Sequence, residues 1–456
     1  MADYQNVREI SLEVVTAVME QGGFIHLTLA RALEKYDYLD PRDKALITRI
    51  SSETVENCIL IDAVLDRFSS VKVRKMKPFI RSLLRISTAQ ILFLNGIPHS
   101  AVCNEAVKMA SAHGFRTLKG FVNGVLRSIC REKDANGLTE FLQSEDLALR
   151  CSVPKWLFDR LSKVYTKEQM EKMLLSDASG REVTVHILTS RKSVSEIMKL
   201  LEEDGVAFRR DPDFEEILYL TISEKPLSEL TAFAEGYLQV QDKSSILAGI
   251  AAASLLKDPE NSICLDLCAA PGGKSIALAD HLKGNSRLLS MDLSEDKCEL
   301  IRENADRTDS RRMEVICRDA SVPDEERKEI ADLILCDVPC SGLGILRKKG
   351  DIKYHLTEER LASLDELQKQ ILKNAYYCLK EGGALLYSTC TVLPEENDLQ
   401  REWILQNFPD LEPVSLEGVI PACYGEGSLK EGRLQLLQGI HDTDGFYFAA
   451  FRKKVR

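Results

Sequence analysis

The chain has 456 residues, 44% of them apolar, thirteen cysteines and a formal net charge of −11. That apolar content supports sizeable cores, and at roughly 150 residues per domain the length predicts about three of them. The N-terminus MADYQNVREI lacks the charged-then-apolar pattern of a signal peptide, and the longest apolar run, Ile246 to Leu256, is far short of the roughly 20 residues that span a bilayer, so a cytoplasmic protein is expected.

Residues 1–145 read as an all-helical bundle. In ISLEVVTAVMEQ and NEAVKMASAHGF the apolar residues recur at three and four, and TLKGFVNGVLRSICREK continues the period. This part also holds a charge anomaly. Arg67 to Arg131 contains twelve lysines and arginines and a single acid, Glu105, so the segment is +11 and the rest of the chain −22. Most charge runs are solvated helical faces, but sixty-five residues with one acid are long for that, and a phosphate backbone is the expected partner.

From about 146 the texture changes. VPKWLFDRLSKVY and KEQMEKMLLSD look helical, REVTVHILT alternates as a strand, SVSEIMKLLEEDG reads as a helix ended by Gly205, and ILYLTI as another strand. Residues 146–235 are therefore expected to form a small α/β linker domain, and 236–456 a third domain. There, the apolar runs SICLDLC, RLLSMDL, MEVICRD, ADLILCD and GALLYSTC are separated by helical or loop segments. Such alternation predicts a doubly wound, mostly parallel sheet, in which ligands bind at the carboxyl ends of the strands. Cys268, Asp292, Asp319, Asp337, Cys340 and Cys390 all fall at expected strand ends.

The odd cysteine count, without any CxxC pair, suggests reduced thiols. Two CxxxC pairs occur, Cys264/Cys268 and Cys336/Cys340, but no histidine stands near enough to complete a familiar zinc spacing, so no metal is expected.

The first strand of the third domain runs into CAAPGGKS and a helix, an arrangement that offers backbone N–H groups to an anion. A phosphate loop fits Gly273-Lys274-Ser275 but has Cys268 where its first glycine belongs, and a dinucleotide fingerprint lacks two of its three glycines. S-adenosylmethionine explains more: Asp292, 26 residues after Asp266, can hold ribose hydroxyls, and Asp319 stands where adenine would be met. Each such acid is also a common turn residue. Two strand-end thiols beside an acid suggest a further chemistry. Carbon 5 of cytosine becomes nucleophilic only after a thiolate adds to carbon 6; a second group is then needed to release the product, and an acid at ring nitrogen 3 or the exocyclic amine would steady the charge.

DLCAAPGGKS, DVPCSGLGILRKKGDIKY, STCTVLPEEND and DGFYFAAF resemble the motifs of the RNA cytosine-5 methyltransferases, in particular those acting on small-subunit (16S) ribosomal RNA. PHSAVCNEAVKMA with FVNGVLRSI is similar to the NusB-like helical RNA-binding domain fused to such enzymes, and SVPKWL with GYLQVQDKSS to their middle region. The resemblance implies a class I, Rossmann-like methyltransferase domain. It implies that Cys390 is the nucleophile, that Cys340 assists release, and that Asp337 and Lys274 serve the target base. It also implies that Cys268, Ala269, Ala270, Pro271, Gly272, Gly273 and Lys274 line the methionine side of S-adenosylmethionine, with Asp292, Asp319 and Asp337 at its other contacts. The expected partner is ribosomal RNA, and the chain is expected to act as a monomer. One departure is RKKGDIKY, with Lys-Gly where the motif has His-Pro. A different class of function, an antitermination-like binding module carrying an inactive methyltransferase fold, would need none of Cys340, Cys390, Asp337 and the cofactor loop.

Overall fold

Helical period and early glycine or proline punctuation organise the N-terminal part as expected. In the computed structural model, which describes residues 7–175, 182–221, 225–425 and 427–455, helices Val7–Gln21, Pro41–Glu56, Cys58–Phe68, His99–Ala112 and Lys119–Asn136 pack around Pro78–Phe93. Pro78 sits at the first helical position, where its missing N–H costs nothing, and residues from Ile80 to Leu92 on almost every face are buried. A helix buried all round is the core of its bundle. Truncating fully buried Leu83 to alanine would cost about 2–5 kcal/mol.

The chain divides into two compact units, Met1–Leu175 with Leu346–Leu356, and Ser176–Ile345 with Thr357–Arg456. The RKKGDIKY stretch thus belongs with the helices. Asp351, fully buried, accepts from the Ile25 N–H (2.8 Å) at the first turn of Ile25–Lys35. Lys353 is buried too and donates to the Glu56 carbonyl (2.8 Å) at the end of Pro41–Glu56 and to that of Cys151 (3.4 Å). Burial holds its pKa down at about 8.

In the second unit the strands are β1 Glu182–Ile187, β2 Phe208–Arg210, β3 Ile217–Thr221, β4 Leu238–Val240, β5 Ile263–Asp266, β6 Arg287–Asp292, β7 Met313–Cys317, β8 Ala331–Asp337, β9 Leu379–Thr389, β10 Leu411–Pro413, β11 Arg433–Leu436 and β12 Phe446–Lys453. Arg181 and Ile222, at the edges of two expected strands, and Ser176–Asp177, at the end of an expected helix, lie outside the described residues. A four-stranded antiparallel sheet, β2-β3-β1-β4, is covered by helix Val194–Glu203, whose N-terminus is closed by a Ser193–Glu196 capping box. Val185, Ile187, Ile197, Leu201, Leu218 and Leu220 form its core. The large sheet runs β10-β12-β9-β8-β5-β6-β7, with β11 on β12; β7 to β9 pair in parallel, and β10, β11 and β12 pair antiparallel.

His186 of β1, Glu216 and Asp280 bring possible ligand atoms within 4.8 Å of one another. The cluster satisfies itself: Asp280 accepts from Thr189 and Ser190, and Glu216 pairs with His186 (3.1 Å) and His281 (3.4 Å). Burial opposes the charge of Glu216, yet both imidazoles hold its carboxyl down at about 2. Burial likewise opposes the His281 charge, but Glu216 raises it above 6.5. A raised imidazole stabilises below its unfolded pKa and loses that contribution as the pH climbs through the folded value; a lowered carboxylate stabilises above 4.5 and loses it as the pH falls toward about 2. His281→Asn should therefore lower the thermal midpoint more at about pH 5.5 than at about pH 9. Equal penalties at the two pH values would remove the ion pair as the cause.

Candidate active site

Between β5 and β8 the order of the parallel strands reverses: the chain goes from β5 outward to β6 and β7, then returns on the other side as β8 and β9. The crevice at the carboxyl ends of β5 and β8 is where an open α/β sheet offers a ligand site. Asp337 is the last residue of β8, Cys340 stands three residues later, and Cys390 comes directly after β9.

The structure brings these together. Cys340 Sγ lies 3.4 Å from Cys390 Sγ. The shared hydrogen bond separates the two thiols: it pulls Cys390 below its ordinary 9.0, with help from the Lys274 charge, and pushes Cys340 well above it. Of the two thiols, Cys390 is therefore the one more readily deprotonated. Lys274 Nζ stands 2.7 Å from Asp337 Oδ2 and 5.2 Å from the centre of the Phe446 ring. Burial weighs against the Lys274 charge, but the Asp337 carboxylate raises its pKa. Ser388 Oγ donates to the other Asp337 oxygen at 2.8 Å. Gly344 closes the loop over the thiols: its N–H donates to the Cys390 carbonyl (3.0 Å) and its carbonyl accepts from Gly445 (2.8 Å). A Cβ there would fall 1.8 Å from Gly445 O, so only glycine fits.

The loop after β5 is tied to β6. The Ala269 N–H donates to Met291 O (2.8 Å) and the Ala270 N–H to Asp292 Oδ2 (3.0 Å). Pro271 is exposed, and Gly272, at φ +104°, turns the chain into helix Gly273–His281, whose first N–H groups are open to an anion. Beneath, Asp266 is fully enclosed, its pKa pushed up to about 7 by burial, and accepts from Ser275 Oγ (2.6 Å). Burial also raises the Cys268 thiol well above 9.0. Asp292 is 5% exposed. Asp319 departs from expectation: β7 stops at Cys317, and Asp319 is an exposed turn residue that accepts from the Ser321 N–H (2.8 Å) and hydroxyl (2.6 Å). The Arg318 N–H still makes a ladder bond to the Asp292 carbonyl, and the chain turns after it, where the Val322 N–H donates to the Asp319 carbonyl.

Sequence reasoning missed two residues. Gln241, 9% exposed, has an amide with no hydrogen-bond partner among the described residues, and it faces Gly273, where a Cβ would lie 3.2 Å from the amide carbon. Its signal was only that GYLQVQDKSS runs into helix Lys243–Ser254. Glu396, in PEEND, is 3% exposed although the motif reads as a polar turn.

The basic segment of the helical unit needs one correction. Arg85 is 8% exposed and grips Asp62 with two hydrogen bonds (2.8 and 2.7 Å), and Arg81 pairs with Glu20, so these two cations serve the bundle interior. The other ten are exposed. Lys108, Lys119 and Arg127, with Asn104 and Asn123, line an open groove of about 550 Å³.

Comparison with known proteins covers the chain in three parts. Residues 5–131 match the NusB family, 153–224 the ferredoxin-like domain of RsmF/B-like methyltransferases, and 253–452 the family described as 16S rRNA methyltransferase RsmB/F. The probable ribosomal RNA small subunit methyltransferase B of Bacillus subtilis is 34% identical over 455 residues, spanning 98% of this chain and 99% of that protein. Among solved structures, PH0851 aligns with TM-score 0.78 at 24% identity over 98% of this chain and 99% of its own. NSun6 from Pyrococcus horikoshii, solved with SFG, aligns with TM-score 0.58 at 21% identity over 66% and 99%. With the helical, ferredoxin-like and methyltransferase parts all present in order and a full-length relative at 34% identity, the chain belongs to the RsmB/F family of methyltransferases.

Proposed function

We propose that this chain methylates carbon 5 of a cytidine in small-subunit ribosomal RNA, using S-adenosylmethionine and a covalent adduct between Cys390 and carbon 6. The observation that carries the reading is the thiol pair at 3.4 Å, one member lowered and the other raised, beside the Lys274–Asp337 ion pair. The relatives named as small-subunit ribosomal RNA methyltransferases support the choice of RNA.

The loop from Cys268 to Lys274 and the acid Asp292 fit S-adenosylmethionine: N–H groups at the helix start suit its carboxylate, Asp292 its ribose hydroxyls, and the unpartnered Gln241 amide a further polar contact. Asp319 would meet the adenine from its turn, and Asp337 the methionine end. When bound, S-adenosylmethionine supplies an electrophilic methyl group. The Cys390 thiolate adds to carbon 6, and the electron pair of the 5,6 double bond moves into the ring, making carbon 5 nucleophilic. Lys274, held charged, faces the negative charge that builds on the ring, while Asp337 accepts from the exocyclic amine. Once Cys390 is bonded to carbon, it no longer carries the charge that kept Cys340 protonated. Cys340 then becomes more acidic, releases its proton to solvent and, as a thiolate, takes the carbon-5 proton; the double bond re-forms and Cys390 leaves with its electron pair.

Bisulfite sequencing of small-subunit RNA from a strain lacking this gene should show one cytidine converted that is protected in the parent. An unchanged pattern would refute the assignment.

Asp292→Ala should weaken S-adenosylmethionine binding by at least about tenfold, since each charged hydrogen bond is worth roughly 1.5–3 kcal/mol. Calorimetry should find no binding of ATP with magnesium. Tight triphosphate binding without S-adenosylmethionine binding would favour a phosphate-loop protein instead.

The exposed cations of the helical unit are proposed to hold RNA phosphates, which carry register rather than sequence. Because Leu346–Leu356 belongs to this unit, point variants test it better than truncation. Replacing Lys108, Lys119 and Arg127 by alanine should flatten the salt dependence of RNA affinity by a slope of roughly 2, at about 0.7 per lost contact, with cofactor affinity unchanged. Identical slopes would make the groove a solvated face.

A further inference from the structure

The two thiols sit on different strand ends, and a sulfur separation of 3.4 Å leaves tolerance of only tenths of an ångström. Something must fix the Cys340 and Cys390 loops to each other. Glu396 ends the turn Pro394–Glu396, and its carboxylate is directed at the first of these loops. Oε1 accepts from the Ser341 N–H (2.9 Å) and from Gln368 Nε2 (2.9 Å), and Oε2 accepts from the Ser341 hydroxyl. Gln368, fully buried on helix Glu358–Cys378, also donates to the Pro339 carbonyl (3.0 Å), so Cys340 is held on both of its chain neighbours.

The second loop is reached through the same cluster. Ser341 Oγ lies 2.6 Å from Thr391 Oγ1, which joins the residue after one cysteine to the residue after the other. Tyr387 of β9, fully buried, donates its hydroxyl to the Glu396 carbonyl (2.5 Å), and the Asn397 amide donates to the Thr391 carbonyl (3.1 Å). Burial pushes the pKa of the Glu396 carboxyl up, and hydrogen bonds from Ser341, Gln368 and Thr391 oppose that rise. Burying a carboxylate without a cation is costly, and an apolar side chain would pack this turn more cheaply. What the carboxylate adds is direction: it fixes where Cys340 stands relative to Cys390.

We propose that Glu396 is a positioning residue that clamps the Cys340 and Cys390 loops together through Ser341, Thr391 and Gln368 and so sets the sulfur-to-sulfur distance. The value of that distance for catalysis rests on the function proposed above; the clamp itself does not. Displacing a reacting group by about 1 Å costs on the order of 10²-fold in rate.

The test uses the full chain in three forms: wild type, Glu396→Ala and Glu396→Gln. Without RNA or cofactor, the azo oxidant diamide is added; it takes one proton and one electron from each thiol, becoming the hydrazine, while the two sulfurs join. Mass spectrometry tracks the linked peptides of Cys340 and Cys390. Closure should slow by about tenfold or more in Glu396→Ala and recover to within about threefold in Glu396→Gln, whose amide can accept from the Ser341 N–H and donate to its hydroxyl. In methyl transfer, kcat of Glu396→Ala should fall by about 10²-fold with KM for S-adenosylmethionine unchanged, again with recovery in Glu396→Gln. Should Glu396→Ala fail to fold by thermal melting, Ser341→Ala, which loses the hydroxyl bridge and keeps the N–H contact, should slow closure in the same direction to a smaller extent. Closure at the wild-type rate in a folded Glu396→Ala, or in Ser341→Ala if that is the variant used, would overturn the clamp. Slowed closure in a protein whose wild type methylates no RNA would uphold the clamp and refute the function.

Discussion

Replacing Cys390 with alanine should lower methyl transfer by about 10⁴-fold or more and abolish any covalent RNA adduct, while S-adenosylmethionine affinity stays unchanged. The reason is the order of steps: carbon 5 of cytosine has no nucleophilic character until a thiolate has added at carbon 6. Cys390 is the group suited to add, because the Cys340 S–H and the nearby Lys274 charge lower its pKa, whereas burial holds Cys58, Cys151 and Cys264 at about 12. The same contrast predicts that iodoacetamide below pH 9 labels Cys390 ahead of these three. Cys390 follows β9 and is not part of the loop Cys268–Lys274, which is why cofactor affinity should survive. A Cys390→Ala protein that still methylates RNA at an appreciable rate would remove Cys390 from the chemistry.

Replacing Cys340 with alanine should leave addition possible and stop release, so that a protein–RNA band survives denaturing electrophoresis while turnover falls by about 10²–10⁴-fold. In the resting site the hydrogen bond shared at 3.4 Å pushes Cys340 well above its ordinary value; in the proposed adduct the Cys390 sulfur is bonded to carbon, and Cys340 becomes the base within reach. Without it the methylated adduct keeps its carbon-5 proton and its bond to Cys390. Cys340→Ala also removes the S–H that lowers Cys390, so adduct formation should need a higher pH than in the wild type. The sign is set by the cause: losing a donor to the thiolate raises its pKa. If Cys340→Ala instead prevents the adduct and Cys390→Ala accumulates it, the two roles are exchanged.

The thiols and acids were legible in the sequence because alternating apolar runs mark strands, and the residues just after such a run in a parallel sheet fall at the ligand edge. Asp337, Cys340 and Cys390 stand at the ends of β8 and β9 for that reason. Asp319 was misread by two residues, since the chain leaves the sheet after Arg318 and closes a turn on Asp319, which accepts from the Ser321 and Val322 N–H groups, and no periodicity encodes that turn. The charge run was legible as charge but not as surface: Arg81 and Arg85 find Glu20 and Asp62 tens of residues away, a pairing set by how three helices pack. For the same reason RKKGDIKY reads as a polar loop, although Asp351 and Lys353 are buried against helix ends far along the chain. Glu396 stayed hidden because a Pro-Glu-Glu-Asn-Asp turn looks solvated, and only tertiary structure shows one of its acids facing Ser341.

The most direct test of the central claim is to incubate the full-length protein with unmethylated small-subunit ribosomal RNA and S-adenosylmethionine labelled in its methyl group, then digest the RNA and separate the nucleosides. Label should appear in 5-methylcytidine with the wild type and be absent with Cys390→Ala. Label in any other nucleoside, or none at all from a protein that binds S-adenosylmethionine, would contradict methylation of cytosine through the Cys390 adduct.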